Sequence, residues 1–150
     1  MKIALACDHG GVDLKTAVAG YLAGRAVAFE DFGSIPGEVV DYPDYAAAAC
    51  RAVLSGACDR AILICGTGIG MSMAANKFPG IRATVCWNPQ TADLSRRHNN
   101  SNCLTLGGRI LDAAVALEIV RIWLDTPFEG GRHERRLAEI AEIEKTYCGR

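Results

Sequence analysis

The chain alternates short apolar runs with stretches of helical pattern, and this alternation limits the folds open to it. Five runs have the length and composition of strands: KIALAC, AVAFEDF, AILIC, RATVCW and CLTLG. Each is followed, directly or after a loop, by a stretch that suits a helix. Strands that alternate with helices in this way form a parallel sheet covered by helices on both faces. The sequence therefore predicts an α/β fold.

The predicted architecture is a three-layer αβα sandwich with a five-stranded parallel sheet, Rossmann-like or flavodoxin-like, and we expect the strand order 2-1-3-4-5. The segment 33–43 carries Gly and Pro and is predicted to be a loop, after which Asp44 is expected to cap the second helix. Pro89 fits the first turn of the fourth helix. The predicted helices cover residues 13–23, 44–54, 70–77, a stretch behind Pro89, 112–124 and about 132–147.

Length and charge restrict the classes of function. The chain has 150 residues, the size of one domain, so residues 1–150 are interpreted as a single domain. Its net charge is −1, which argues against a nucleic-acid or anionic-membrane partner, because proteins that bind either usually carry an excess of basic residues. The sequence lacks an apolar stretch of about 18 residues, so it predicts no transmembrane helix.

The cysteines indicate a reducing environment. There are seven, none of them in a CxxC pair, which argues against a structural zinc site or a thioredoxin-like motif. The count is odd and most of them lie in apolar runs. The sequence therefore predicts buried free thiols and a cytoplasmic location rather than a disulfide framework.

Polar clusters follow three of the predicted strands. DHGG follows the first strand, CGTGIG the third and GGR the fifth. In open parallel sheets, ligands bind beyond the carboxyl ends of the strands, near the point where the strand order reverses. These three clusters are therefore the predicted ligand site.

The stretch CGTGIGMS, residues 65–72, carries the strongest signal. Its alternate glycines let the backbone approach a ligand closely, and the following helix offers unpaired N–H groups. Such a loop binds a phosphate, a carboxylate or a developing oxyanion. It is not GxGxxG, it lacks the Gly-Lys-Ser/Thr ending of a P-loop, and Met71 stands where a cysteine phosphatase needs Arg. A plain tight turn after a buried strand remains the alternative.

Cys65 is the candidate base or nucleophile of this loop. A thiol at a helix N-terminus can be partly ionised at neutral pH, and a thiolate can then remove a proton. Cys7 is the rival, since it also ends a strand, beside Asp8, but it lacks the alternating glycines. A small buried hydrophobe is the alternative interpretation of either cysteine.

Two further pairs of polar residues are candidates for ligand contacts. Asp8 and His9 stand at the tip of the first strand, where they can hydrogen-bond a polar ligand, unless Asp8 only caps the helix. His98 and Asn99 lie in the Asn-rich stretch RRHNNSN before the fifth strand. A lone histidine is more often structural than catalytic, and the Asn-rich surroundings near the fifth strand raise the odds of a catalytic role only modestly.

Three arginines are candidates for binding an anion. Arg132 and Arg136 in EGGRHERR are four residues apart, so they share one face of a helix. Two guanidinium groups on one face suit a phosphate, although a solvated face paired with glutamates is common. Arg109 follows the fifth strand and is the third candidate.

Taken together, the motifs resemble ribose-5-phosphate isomerase type B, of the family that also contains galactose-6-phosphate isomerase subunits. The resemblance covers nearly the whole chain in order, and its motifs are specific in combination rather than singly. The residues that carry it are ACDHGG, DYP, ILICGTGIGMSMAANK, GIRA, SRRHNNSN, LGGRI and EGGRHERR.

The resemblance implies an aldose–ketose isomerase that interconverts ribose 5-phosphate and ribulose 5-phosphate without a metal or cofactor. It implies that Cys65 moves the proton between C1 and C2, and that His98 helps to open the furanose ring with assistance from Asp8. The loop with Thr67 would cradle the enediolate, and His9 and the three arginines would bind the phosphate. The implied catalytic residues are Asp8, Cys65, Thr67 and His98. The implied substrate-binding residues are Asp8, His9, Tyr42, Gly66, Thr67, Gly68, Ile69, Gly70, Asn99, Arg109, Arg132 and Arg136.

The resemblance also implies a homodimer or a tetramer whose sites take residues from both subunits, with the helix from about 132 contributing to the dimer. Two departures, SIPGE and CWNP, leave the preferred sugar open. One alternative is the same chemistry on a six-carbon substrate, allose or galactose 6-phosphate. The other is a non-catalytic phosphosugar- or nucleotide-binding module on the same fold.

Overall fold

The computed structural model describes residues 1–147, and its centre is a five-stranded sheet in which every pairing is parallel. The strands are β1 (Lys2–Cys7), β2 (Ala28–Asp31), β3 (Arg60–Cys65), β4 (Ala83–Val85) and β5 (Cys103–Gly107). The helices are α1 (Val12–Gly24), α2 (Tyr42–Leu54), α3 (Ile69–Ala75), α4 (Pro89–Arg97), α5 (Ala113–Asp125) and α6 (Arg132–Tyr147). The predicted three-layer α/β fold is confirmed, while Cys148 lies outside the described residues.

Helices cover both faces of the sheet because successive strand residues point to opposite sides. On β3, Ile62 and Ile64 pack beneath α1, α4 and α5. Leu63 and Cys65 point to the other side, where α2 and α3 lie. Each of these four side chains is at most 4% exposed, so β3 is a fully buried central strand.

The strand order is β2-β1-β3-β5-β4, so the expected order 2-1-3-4-5 is wrong at its last two positions. The physical reason is the unequal burial of the two strands. All five residues of β5 are buried, whereas β4 has three residues that are all only partly buried. A short, partly exposed strand suits the edge of a sheet. The fifth strand therefore lies directly beside β3.

Several element boundaries differ from the predicted ones. Asp44 does not cap α2, because the helix begins at Tyr42 with Asp41 at the N-cap position. Pro43 fits the first turn since its missing N–H would have no helical partner there. The predicted loop 33–43 therefore ends at Asp41, and β2 and β4 are shorter than their apolar runs.

Helix α6 packs only lightly on the rest of the chain. Among its described residues His133 alone is buried, while Ile140, Ile143 and Tyr147 are 41%, 58% and 73% exposed. Glu144 ties the helix to the segment before β4 by accepting a hydrogen bond from the Gly80 N–H at 3.0 Å. The helix thus carries apolar side chains that residues 1–147 do not cover. None of the helices within residues 1–147 combines the length and apolarity that a membrane span requires.

Candidate active site

Three loops meet at the carboxyl edge of the sheet because β1, β3 and β5 are neighbours. The N–H of Gly108 donates to the Cys65 carbonyl at 2.7 Å, and the N–H of Arg109 donates to the Gly66 carbonyl at 3.0 Å. On the other side, the Asp8 N–H donates to the Ile64 carbonyl at 3.1 Å. The clusters predicted after the first, third and fifth strands therefore form one continuous surface.

Two glycines are required for this close packing. A Cβ on Gly108 would lie 2.6 Å from the Gly10 carbonyl oxygen, which is a steric clash. Gly68 has a φ of 81°, in the left-handed region, and a Cβ there would lie 3.0 Å from the backbone of Leu106. The tight turn considered as the alternative is present, and the N–H of Gly68 within it also faces the thiol of Cys65.

Cys65 is held at the base of the glycine loop. Its Sγ accepts a hydrogen bond from the Gly68 N–H at 3.1 Å, and the residue is 4% exposed. The Thr67 hydroxyl oxygen accepts from the Ile69 N–H at 3.3 Å, which leaves the hydroxyl proton to donate elsewhere.

Cys7, the rival thiol, faces the other layer of the molecule. Its side chain lies in the apolar cluster beneath α1. Burial raises the pKa of Cys7, and the Ser34 carbonyl lies 3.9 Å from its sulfur. A thiol whose pKa is raised in this way is a poor base, and Cys7 also faces away from the glycine loop, so Cys65 is the better candidate.

Asp8 and Tyr42 border the same loop. Asp8 is 7% exposed, and its Oδ1 accepts a hydrogen bond from the Gly10 N–H at 2.8 Å. The ring of Tyr42 lies against Gly70, where a Cβ would approach it to 2.8 Å. The first turn of α2 thereby reaches the glycine loop, as the sequence motif DYP suggested.

A cavity of about 360 Å³ opens beside these loops and is lined by His9 and Arg109. The Nδ1 atom of His9 lies 3.1 Å from the Val40 carbonyl oxygen. This contact leaves Nε2 as the ring atom that can meet a ligand. The Arg109 side chain lies over Gly66, 3.3 Å from where a Cβ would stand. Two basic side chains on one cavity suit an anion, although the carboxylate of Asp13 also borders it.

The other predicted residues lie at the opposite edge of the sheet. Helix α4 runs back from the carboxyl edge, and His98 is its C-cap residue. Strand β5 separates His98 from Cys65, and its five residues span roughly 13 Å at about 3.3 Å per step. Asn99 is held there by Arg82, whose Nε donates to the Asn99 carbonyl at 3.2 Å. One chain therefore does not bring His98, Asn99, Arg132 and Arg136 to the thiol.

His98 belongs to a cluster that sequence reasoning missed. Its ring stacks on that of His133, with centroids 4.2 Å apart and planes within 9° of parallel. Glu129 Oε2 lies 3.8 Å from the Nε2 atom of each ring. Burial lowers the pKa of His133, and the nearby His98, Arg132 and Arg136 lower it further. The signal available in the sequence was the presence of Glu129 and His133 in the motif EGGRHERR.

The same cluster has the residue types of a metal site but not the geometry. The three ligand atoms lie within 4.8 Å of one another, a separation that permits a shared cation. A histidine nitrogen, however, binds a metal along its lone pair, in the plane of the ring. Two nearly parallel rings aim their lone pairs side by side instead of at one point. The observed ring arrangement therefore does not form a metal centre.

Comparison with known proteins decides the family. Residues 3–140 match the family model described as Ribose/Galactose Isomerase. The chain belongs to this family. It is 48% identical to ribose-5-phosphate isomerase B of Escherichia coli over 96% of this chain and 97% of that protein. It is also 38% identical to D-erythrulose-4-phosphate isomerase of Pectobacterium atrosepticum, over 96% and 95% of the two chains.

Solved structures agree with this assignment. Ribose-5-phosphate isomerase B of Clostridium thermocellum superposes with a TM-score of 0.96 at 52% identity, over 98% of this chain and 99% of that one. The enzyme of Mycoplasma genitalium with bound ribulose-5-phosphate gives a TM-score of 0.92 at 38% identity, over 96% of both chains. The chain is thus a sugar-phosphate isomerase, which decides against the non-catalytic binding module.

Substitution of Gly68 by Ala tests the strain in the glycine loop. We expect Gly68→Ala to lower the free energy of unfolding by about 1–3 kcal/mol, because a left-handed residue would gain a Cβ in contact with Leu106. The matched control is Gly20→Ala in α1, where a Cβ meets open space and stability should rise by roughly 0.4–1 kcal/mol. Urea denaturation followed by circular dichroism measures both, and equal effects would contradict the account.

Proposed function

We propose that this isomerase interconverts ribose 5-phosphate and ribulose 5-phosphate through an enediolate, with Cys65 as the base. The observation that carries the proposal is the position of the Cys65 thiol. Cys65 ends β3, which lies between β1 and β5. The loop after β1 supplies His9 to one cavity, and the loop after β5 supplies Arg109 to the same cavity. A phosphate bound by these two basic residues would direct the carbon chain of the sugar toward the thiol.

The chemistry needs a base and donors for the oxygen that becomes negative. The Cys65 thiolate takes the proton from C2 of the open-chain aldose and returns it to C1, while the proton on O2 passes to O1. The Thr67 hydroxyl and the N–H groups of the loop that are not bound to Cys65 or Thr67 can donate to the enediolate oxygens. Proton transfer by a positioned base contributes about 10²- to 10⁴-fold, and one oxyanion donor about 10²- to 10³-fold.

Ring opening comes before this step, because ribose 5-phosphate is mostly a furanose. In the proposed mechanism the C1–O4 bond breaks, O4 takes a proton from His98, and the C1 hydroxyl gives its proton to the carboxylate of Asp8. Asn99 and Tyr42 contact the sugar, and Arg132 and Arg136 add to the phosphate site. This requires His98 and Cys65 to meet in one site.

The proposed solution is a homodimer in which His98 of one subunit faces Cys65 of the other. The distance between the two edges of the sheet supports it, since β5 lies between the two residues. The exposed apolar side chains of α6, Ile140, Ile143 and Tyr147, support a contribution of this helix to the dimer. A tetramer would be built from such dimers.

The names of the relatives support a sugar phosphate of four or five carbons as substrate. At 48% identity the E. coli relative is named for ribose 5-phosphate, and at 38% the Pectobacterium relative is named for erythrulose 4-phosphate. A six-carbon phosphate, allose or galactose 6-phosphate, is the second candidate, favoured by the word galactose in the family description. The six described cysteines are free thiols, which supports a reducing compartment such as the cytoplasm.

The role of Cys65 can be tested against that of Cys7. Cys65→Ala should lower kcat by roughly 10²- to 10⁴-fold, because the base is lost, while ribose 5-phosphate still binds. Cys7→Ala is the matched control and should keep kcat near the wild-type value, since its thiol faces the other layer. Isothermal titration calorimetry measures binding and a coupled assay measures kcat. Loss of turnover in Cys7→Ala alone would show that the base is Cys7.

Substrate size is tested with ribose 5-phosphate, D-erythrose 4-phosphate and allose 6-phosphate. We expect the pentose to have the highest kcat/KM, by roughly 10- to 200-fold, because a carbon too many or too few misplaces C2 relative to the thiol. Exchange of the C2 proton in heavy water, followed by NMR, reports the chemical step for each sugar. A higher kcat/KM on another sugar would overturn the pentose assignment but leave the isomerase assignment intact.

The shared site is tested by mixing two inactive variants. Cys65→Ala and His98→Asn chains, co-expressed in equal amounts, would form mixed dimers that hold one intact site each. We expect about a quarter of wild-type activity from a random mixture, because half of the dimers are mixed. If both residues act within one subunit, no intact site forms and the mixture stays as inactive as its components.

A further inference from the structure

The carboxylate of Glu129 is fixed in place beside His98. Its Oε1 pairs with Arg97 Nε at 2.7 Å, and its backbone N–H donates to the Arg97 carbonyl at 3.0 Å. The second carboxylate oxygen is thereby turned toward His98 Nε2, 3.8 Å away. Since Arg97 and His98 are consecutive, the anchor and the imidazole belong to the same turn of chain.

His133 is held as the neutral partner of the stacked pair. The Arg132 Nε–H donates to His133 Nε2 at 3.4 Å, so that nitrogen carries a lone pair and the ring proton is on Nδ1. Two cationic rings 4.2 Å apart would repel each other. The direction of the pKa change at His133, downward, agrees with this. Glu129 Oε2 lies 3.8 Å from the Nε2 atom of each ring, but that of His133 is already taken by Arg132, which leaves His98 as the ring that Glu129 can support.

Other charges reach the pair from three parts of the chain. Helix α4 contributes Arg97 and, one turn earlier, Asp93, which pairs with Arg97 at 3.3 Å. The segment between α5 and α6 contributes Glu129, and the first turns of α6 contribute Arg132 and Arg136. Glu129 is the carboxylate that comes within 4 Å of His98 among the described residues.

We propose that Glu129 is a positioning residue for His98, and that its Arg97-anchored carboxylate supports the protonated imidazole that opens the sugar ring. The buried ring of His133 keeps the His98 ring in its orientation by stacking. This inference rests on the proposed ring-opening role of His98. It adds to that role the two residues that contact the His98 ring, Glu129 through its carboxylate and His133 through stacking.

Ring opening can be observed without isomerisation in the Cys65→Ala background, where the proposed base is absent. The two ring forms of ribose 5-phosphate interconvert through the open aldehyde, so an enzyme that opens the ring accelerates their exchange. Exchange NMR on ribose 5-phosphate measures this rate as a function of pH. Glu129→Gln is the test variant, because it keeps the shape of the side chain and removes its charge. Glu118→Gln is the matched control, since Glu118 also pairs with an arginine, Arg121, but on α5.

We expect Glu129→Gln to slow the catalysed exchange about tenfold near neutral pH. The carboxylate stabilises the cationic imidazole, so without it the active form loses its proton at lower pH. The alkaline limb of the profile should therefore move to lower pH, whereas a purely structural effect would lower the rate without moving the limb. Glu118→Gln should leave both the rate and the profile unchanged.

Two results would overturn the inference, and a third bears on its foundation. If Glu129→Gln matches the control in rate and profile, Glu129 does not support His98. If it slows exchange equally at all pH values, its role is only to shape the loop. If Cys65→Ala itself does not accelerate anomer exchange and His98→Asn changes nothing, the ring-opening role fails, and the inference fails with it.

Discussion

The pairing of β3 with β5 is the contact on which the rest of the site depends. It places Gly108 and Arg109 directly against Cys65 and Gly66, through backbone hydrogen bonds of 2.7 and 3.0 Å. Had β4 lain between the two strands, the β5 loop would be about 5 Å further from the thiol, one more strand spacing. The Arg109 side chain could not then lie over the glycine loop. The order of two strands thus decides whether the thiol lies next to the cavity lined by His9 and Arg109.

The register of β3 fixes a second property, the layer that each thiol faces. Cys7 pairs with Ile64 and therefore points to the α1 layer, whereas Cys65, one residue further on, points to α2 and α3. A shift of one residue would exchange these faces. The layer matters because the glycine loop continues into α3, and Tyr42 begins α2. Of these two thiols, Cys65 is the one that accepts a hydrogen bond from the glycine loop, from the N–H of Gly68.

Local features could be predicted from the sequence, and pairings between distant segments could not. The apolar runs of β1 and β5 match the observed strands residue for residue, and the clusters around Asp8, Cys65 and Arg109 follow strands as expected. The predicted order exchanged β4 and β5, because two apolar runs of similar length do not reveal which of them pairs with β3. Glu129 and His133 were missed because both contact the ring of His98, which lies more than thirty residues earlier in the chain.

The separation of His98 from Cys65 follows from the direction in which α4 runs. A helix that connects two parallel strands must return the chain to the edge where the next strand begins. A residue at its C-terminal end therefore lies at the amino edge, away from every strand-end loop. The sharing of a site between subunits that we propose follows from this topology. In a two-fold symmetric dimer, the contact between the amino edge of one sheet and the carboxyl edge of the other occurs twice. Two equal sites therefore form together. Activity and assembly would then be coupled, because neither edge carries the complete set of the proposed catalytic groups.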